Sequence, residues 1–116
     1  MRPSNALASL AVSDLDRSAS WYERLFGPAR RPMPEVMEWH FDAGGGLQVY
    51  EGPERSGNGS CTIVVDDIDA VADELRMLGI DAPEPAHQDA VDTIMIKDPD
   101  GNSIAFAHPK TPELIS

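Results

Sequence analysis

The sequence predicts an α+β chain made of two copies of one unit: a strand, a helix, then up to three further strands. Three observations carry that prediction. An apolar strand pattern, an acidic cluster and an amphipathic helix follow one another in SLAVSDLDRSASWYERLFG, residues 9–27, and the same order returns about 53 residues later in TIVVDDIDAVADELRMLGI, residues 62–80. Each helix is followed by alternating apolar runs broken by glycine-containing turns. The length, 116 residues, is that of one domain with one real core.

The run Ala6 to Val12 is short, is broken by Ser9 and leads at once into Asp14, Asp16 and Arg17, so it reads as a first strand and not as a signal peptide. Leu15, Ala19, Tyr22, Leu25 and Phe26 then fall on one face of a helix. Asp14 or Asp16 can cap its free amides, and Gly27 followed by Pro28 stops it. MEWHFD and LQVYEG, joined by Gly44 to Gly46, read as a hairpin. The prolines from Pro28 to Pro34 allow only a short or edge strand before it. GPERSGNGS, residues 52–60, has the composition of a flexible linker.

In the second copy Ile68, Val71, Ala72, Leu75 and Leu78 repeat the helical face and Gly79 ends it. VDTIMI and SIAFAH flank the turn KDPDGN, in which Pro99 fixes the backbone and Gly101 accepts a positive φ. Pro83 and Pro85 again confine any preceding strand to an edge. The boundaries expected are module one at about 5–52, a linker at 53–59, module two at 60–109 and a tail at 110–116.

Twenty acidic against nine basic residues give a formal net charge of −11. Such a surface repels phosphate backbones and anionic lipids, so neither nucleic acid nor membrane is expected as a partner. No apolar window approaches the roughly 18 residues of a membrane span. The lone Cys61 forbids an intrachain disulfide, and Thr62, Ile63, Val64 and Val65 beside it mark a strand. The chain therefore reads as cytoplasmic.

VSDLD and VDDID opening the helices, the Trp21-Tyr22 pair and DPDGN before the last strand together resemble the vicinal oxygen chelate superfamily. Glyoxalase I, extradiol dioxygenases, fosfomycin-resistance enzymes and bleomycin-resistance proteins belong to it. The resemblance covers residues 5–108. It implies two βαβββ modules forming an incompletely closed mixed sheet around a concave cavity, with helices outside, and a homodimer as the working form.

Strand alternation then sorts the side chains. Leu10, Val12, Leu47, Val49, Ile63, Val65, Ile104 and Phe106 are expected against the helices. Leu7, Ser9, Gln48, Tyr50, Ser60, Thr62 and Ala105 are expected to line the cavity, and His40 to border it.

In the metal-dependent relatives, the resemblance implies His, Glu or Gln ligands on the first, fourth, fifth and eighth strands. Here those positions hold Leu7, Gln48, Ser60 and Ala105, and one amide cannot hold a catalytic divalent metal against water. His40, His87 and His108 fall at none of them. In the cluster Asp66, Asp67 and Asp69, the last two match Asp14 and Asp16 of the first copy, and the cluster reads as helix capping. Gly44 to Gly46 lack the strand-to-helix setting of a phosphate loop.

The reading is a small-molecule-binding protein without metal or other cofactor, sequestering a cationic or amphiphilic organic compound in the manner of the bleomycin-resistance branch. Two alternatives stand beside it. One is a metal-dependent lyase or dioxygenase of the glyoxalase type; the other is a metal-free, isomerase-like enzyme using Tyr50, His40 or Glu38 as acid or base.

Overall fold

The computed structural model describes residues 1–111; of the tail expected at 110–116, residues 112–116 lie outside the described residues. The elements of the first module are β1 (Leu7–Val12), α1 (Leu15–Phe26), β2 (Arg30–Met33), β3 (Val36–His40) and β4 (Gly46–Glu51). Those of the second are β5 (Ser60–Val64), α2 (Ile68–Met77), β6 (Ala86–His87), β7 (Val91–Lys97) and β8 (Ser103–Pro109). The first sheet runs β1-β4-β3-β2 and the second β5-β8-β7-β6, so the expected repeat is present strand for strand. In each sheet the outer helix-flanking strand pairs in parallel and the rest are antiparallel.

Local chemistry fixes the elements. Asp14 caps α1 by accepting the Arg17 amide at 3.1 Å, and Asp67 caps α2 by accepting those of Asp69 and Ala70 at 3.1 Å each. Gly27 ends α1 at φ 82°, a conformation that β-carbon-bearing residues avoid. Prolines set the outer strands: β2 carries Pro32 on the free edge of its sheet, and β6, just after Pro85, is only two residues long.

Burial follows the alternation. Leu10, Val12, Leu47, Val49, Met37 and Trp39 pack under α1 with Leu15 and Tyr22, while Ile94, Ile96, Ile104 and Phe106 pack under α2 with Ile68 and Leu75. Ile63 and Val65 are half-buried against the same core. The helices lie side by side on one face of the molecule: the Phe26 and Phe106 rings are 6.5 Å apart, and Arg24 donates to the Leu78 carbonyl at 2.9 Å. The opposite faces of both sheets are left open.

The modules meet along β1 and β5, which pack together without a hydrogen-bonded ladder. The KDPDGN turn fastens one end of this junction. Its Asp98 accepts the Tyr22 hydroxyl of α1 at 2.5 Å, and Asp100 accepts the Ser13 hydroxyl at 2.6 Å. Asn102, wholly buried, donates to the Ala11 carbonyl at 2.7 Å and accepts the Gly59 amide at 2.8 Å. A turn read as hairpin chemistry thus also ties module two to module one. Residues 53–59, expected as a flexible linker, are packed instead: Pro53–Arg55 form a 3-10 turn, and Gly57, at φ 85°, lies so close to the Asp100 carbonyl that a β-carbon would stand 2.5 Å from it. The glycines there serve close approach.

A groove between the modules

Residues directly opposite in a ladder point to the same face, so the register builds the open faces row by row. Ser9, Gln48 and Glu38 form one row across β1, β4 and β3, in which the Ser9 hydroxyl donates to Gln48 Oε1 at 3.2 Å. Ala11, Tyr50 and Val36 make the row on one side of it, and Leu7, Gly46 and His40 the row on the other. His40 Nε2 stands 4.0 Å from Glu38 Oε2. In module two the rows are Ser60–Ser103–Lys97, Thr62–Ala105–Met95 and Val64–Ala107–Thr93, with Lys97 Nζ on Ser103 Oγ at 2.9 Å.

The expected cavity residues therefore fall into two groups. Leu7, Ser9, Gln48, Tyr50 and His40 share one face of the first sheet, and Ser60, Thr62 and Ala105 share one face of the second. Of the eight, only Leu7, His40 and Thr62 meet at a concavity, a groove of about 860 Å³ between the β3–β4 turn and the C-terminal end of β5. Ser9, Gln48, Tyr50, Ser60 and Ala105 lie along the open faces outside it.

The groove adds residues that strand alternation did not select. Phe41, Asp42 and Ala43 come from the β3–β4 turn, and Val64 and Asp66 from β5 and the residues after it. Asp67 caps α2, but its neighbour Asp66 does not; its exposed carboxylate stands in the groove wall with that of Asp42. No lysine or arginine lines this groove. His40 and Thr62 add two further polar side chains, and the remaining walls are apolar, from Leu7, Phe41, Ile63, Val64 and Val65.

A metal does not fit the positions at which the resemblance would place one. Leu7 and Ala105 offer no donor atom, Ser60 offers a neutral hydroxyl, and the Gln48 amide already accepts from Ser9. Among the described residues, no three His, Cys, Asp or Glu side chains gather in a way that could hold an ion.

The remaining reactive groups are tied into structure. Burial pushes the Cys61 thiol up to about 11, which leaves it protonated and unreactive at neutral pH. His87 Nδ1 lies 2.9 Å from Asp92 Oδ1 and its Nε2 3.7 Å from Asp69, while Lys110 Nζ reaches the same Asp92 oxygen at 3.0 Å. His108 contacts the Val65 carbonyl at 3.0 Å. No helix among the described residues is long and apolar enough to cross a membrane.

A family model for the Glyoxalase/Bleomycin resistance protein/Dioxygenase superfamily matches residues 5–106. Among solved structures, a glyoxalase/bleomycin resistance protein from Catenulispora acidiphila is 31% identical, with a TM-score of 0.81 over 91% of this chain and 98% of that one. TnmS3, an antibiotic binding protein from Streptomyces sp. CB03234, is 25% identical, with a TM-score of 0.78 over 95% of this chain and 99% of that one. A bleomycin-binding protein complexed with bleomycin is 19% identical and shares the fold, with a TM-score of 0.75 over 95% of this chain and 100% of that one. No curated protein sequence matches.

Proposed function

The chain belongs to the Glyoxalase/Bleomycin resistance protein/Dioxygenase superfamily, and from that premise we propose that it binds a small cationic, amphiphilic organic compound without the help of a metal. The lining of the inter-module groove carries this reading. Two carboxylates, Asp42 and Asp66, stand among largely apolar walls with no lysine or arginine beside them, His40 being the one basic side chain of the lining. Such a surface favours a ligand with a positive end and an apolar or aromatic body.

The open faces beside the groove extend the reading. Ser9, Gln48 and Tyr50 on the first sheet, and Ser60 and Thr62 on the second, offer hydroxyls and one amide that would orient polar parts of a larger ligand by hydrogen bonds. Leu7, Val64 and Met95 are exposed large apolar side chains on those faces. In the same proposal a second copy of the chain covers part of them, giving a cytoplasmic homodimer.

The net charge of −11 acts in the same direction, since it raises the local concentration of cations and their association rate. The antibiotic-binding and bleomycin-binding relatives support the class of ligand by analogy only.

Calorimetric titration tests the proposal. Bleomycin-type glycopeptides and smaller cationic aromatics are expected to give saturable heats that a chelator does not change, and neutral analogues of the same size to bind more weakly. Replacing Asp66→Asn is expected to weaken a cationic ligand by roughly threefold, the effect of one partly exposed charge contact. An absence of heat at high micromolar ligand, or binding that disappears on chelation, would overturn the reading.

A further inference from the structure

The groove exists because the molecule closes one of two equivalent junctions and leaves the other open. Aligning the modules along their strands places Leu7 on Ser60, Ala11 on Val64, Ser13 on Asp66 and Tyr22 on Leu75. The ladders place Gly46 opposite Leu7 and Ser103 opposite Ser60, so the turn Phe41 to Gly45 corresponds to the turn Asp98 to Asn102.

The two turns share one backbone. In the first, the Phe41 amide donates to Gly45 O at 3.1 Å and that of Gly44 to Phe41 O at 3.0 Å. In the second, the Asp98 amide donates to Asn102 O at 2.9 Å and that of Gly101 to Asp98 O at 3.0 Å. Gly44 and Gly101 have matching φ values of 103° and 98°.

Their side chains differ at every position that fastens the second turn. Asp98, Asp100 and Asn102 grip Tyr22, Ser13, Ala11 and Gly59 across one end of the junction. At the other end Phe41, Ala43 and Gly45 stand in their places, with no side-chain group that could do the same. The space the latch would fill is the groove.

What the missing latch leaves behind defines its replacement. The Ala6 amide, counterpart of the Gly59 amide, is already bonded to Asn5 Oδ1 at 2.9 Å. The Val64 carbonyl, counterpart of the Ala11 carbonyl that Asn102 holds, lies on the edge of β5 away from β8, because alternate residues such as Val65 make the ladder bonds. No described side chain donates to it. Asp66 occupies the place of the donor Ser13, so the polarity there is reversed. Both waiting groups are acceptors.

We propose that the open junction is the specificity pocket for a planar head group carrying several N–H donors and a positive charge, an amidinium or a guanidinium. This rests on the groove being the ligand site. The head group stands where the Asp100 side chain and the donor nitrogen of Asn102 stand in the closed junction, the place of the Asn102 oxygen being taken by Asn5 Oδ1, which accepts the Ala6 and Gly45 amides. Its N–H groups meet the Asp66 carboxylate and the Val64 carbonyl, Asp42 adds a second negative charge, and the apolar body lies on Phe41 and Leu7. A simple ammonium presents the same charge without the planar fork and fits less well.

The test is to refill the pocket. Benzamidinium, benzylammonium and benzamide would be titrated into isotopically labelled protein while backbone amide resonances are followed. Benzamidinium is expected to shift the amides of residues 43–45 and 64–66 and to bind more tightly than the other two. The variant A43D/G45N/D66S rebuilds the latch, and asparagine tolerates the φ of 74° at Gly45. It is expected to weaken benzamidinium by about tenfold or more, as loss of a charge-assisted hydrogen bond implies. Asp66→Asn, which leaves the turn untouched, covers the case in which the triple variant does not fold.

Unchanged affinity in a folded refilled variant, or in Asp66→Asn, overturns the proposal, as do shifts confined to Ser9, Gln48 and Ser60 on the open faces. Binding of larger cationic amphiphiles without binding of benzamidinium overturns the head-group assignment and leaves the proposed function standing. If no cation binds anywhere, both fall.

Discussion

The Tyr22 hydroxyl donates to the Asp98 carboxylate at 2.5 Å across 76 residues of sequence, and neither side chain is more than 4% exposed. The same carboxylate accepts the amides of Asp100 and Asn102 and the carboxamide of Asn102, so a buried charge is held by hydrogen bonds alone. Tyr22→Phe removes the donor from α1 and leaves the carboxylate short of a partner. It is expected to cost about 1–3 kcal/mol in urea unfolding. Asn102→Ala, which strands the Ala11 carbonyl and the Gly59 amide as well, is expected to cost more than Tyr22→Phe. In a double-mutant cycle the two losses should fall short of adding, because both act on Asp98.

What the sequence made legible, and what it did not, divides along the range of the interactions. The sequence of elements along the chain, the capping aspartates, the edge placement of β2 and β6 and the helix-facing rows follow from neighbours a few residues apart, and periodicity reads those directly, whereas the pairing of β1 with β4 and of β5 with β8 is long-range and was implied only by the family resemblance. The latch could not be read in the same way. KDPDGN satisfies the chemistry of a hairpin turn by itself, and nothing local shows that Asp98 meets Tyr22 or that Asn102 meets Ala11, 91 residues away. Alternation puts the eight residues expected in one cavity on an open face of each sheet, yet only Leu7, His40 and Thr62 reach the groove, which lies at the strand ends, where Asp42 and Asp66 have left the ladder and period two no longer applies. One signal was available: Asp66 matches Ser13 in the repeat while Asp67 matches Asp14, so only one of the adjacent aspartates was needed as a cap.

The packed linker makes a second prediction. Gly57 and Gly44 both have positive φ, 85° and 103°, so alanine at either must adopt a left-handed backbone at a cost of about 1–2 kcal/mol. At Gly44 a β-carbon meets nothing within 4 Å, whereas at Gly57 it meets the Asp100 carbonyl at 2.5 Å. Gly57→Ala is therefore expected to be the more damaging, because it pushes apart the linker and the latch turn. Thermal unfolding of the two variants, compared with the parent, checks the order; equal losses would mean that the linker moves aside freely.

Alkaline pH acts on the same region. Burial, then the hydrogen bond to Asp98 and its charge, raise the Tyr22 phenol well above its usual value, and burial with the nearby Asp98 charge pushes the Cys61 thiol up to about 11. Both folded-state values lie above the unfolded ones. The folded chain therefore keeps protons that the unfolded chain gives up, and stability falls as pH rises. The loss begins near the unfolded thiol value of about 9 and continues through the folded value. Melting temperatures across this range are expected to fall less steeply in Cys61→Ala, and less steeply again above about pH 10 when Tyr22→Phe is added.

On the acid side the sign reverses at Asp92. The hydrogen bond from Lys110, together with that from His87 and both positive charges, outweighs burial and holds this carboxyl below the usual carboxylate value. Its contribution is present in full above the unfolded value of about 4 and is lost as pH falls through the lower folded one, because only then must the native carboxylate take up a proton. This contact holds the two-residue strand β6 to β7, and Lys110 also donates to the Gln88 carbonyl at 2.8 Å, so one cluster closes the outer edge of the second sheet. Lys110→Met removes the strongest of the lowering influences. A carboxyl-detected titration is expected to find Asp92 nearer its ordinary range in that variant, with the acid unfolding midpoint moved to higher pH. Faster amide exchange should be confined to residues 86–93, because the Asp98 latch holding the modules together lies at the opposite end of β7.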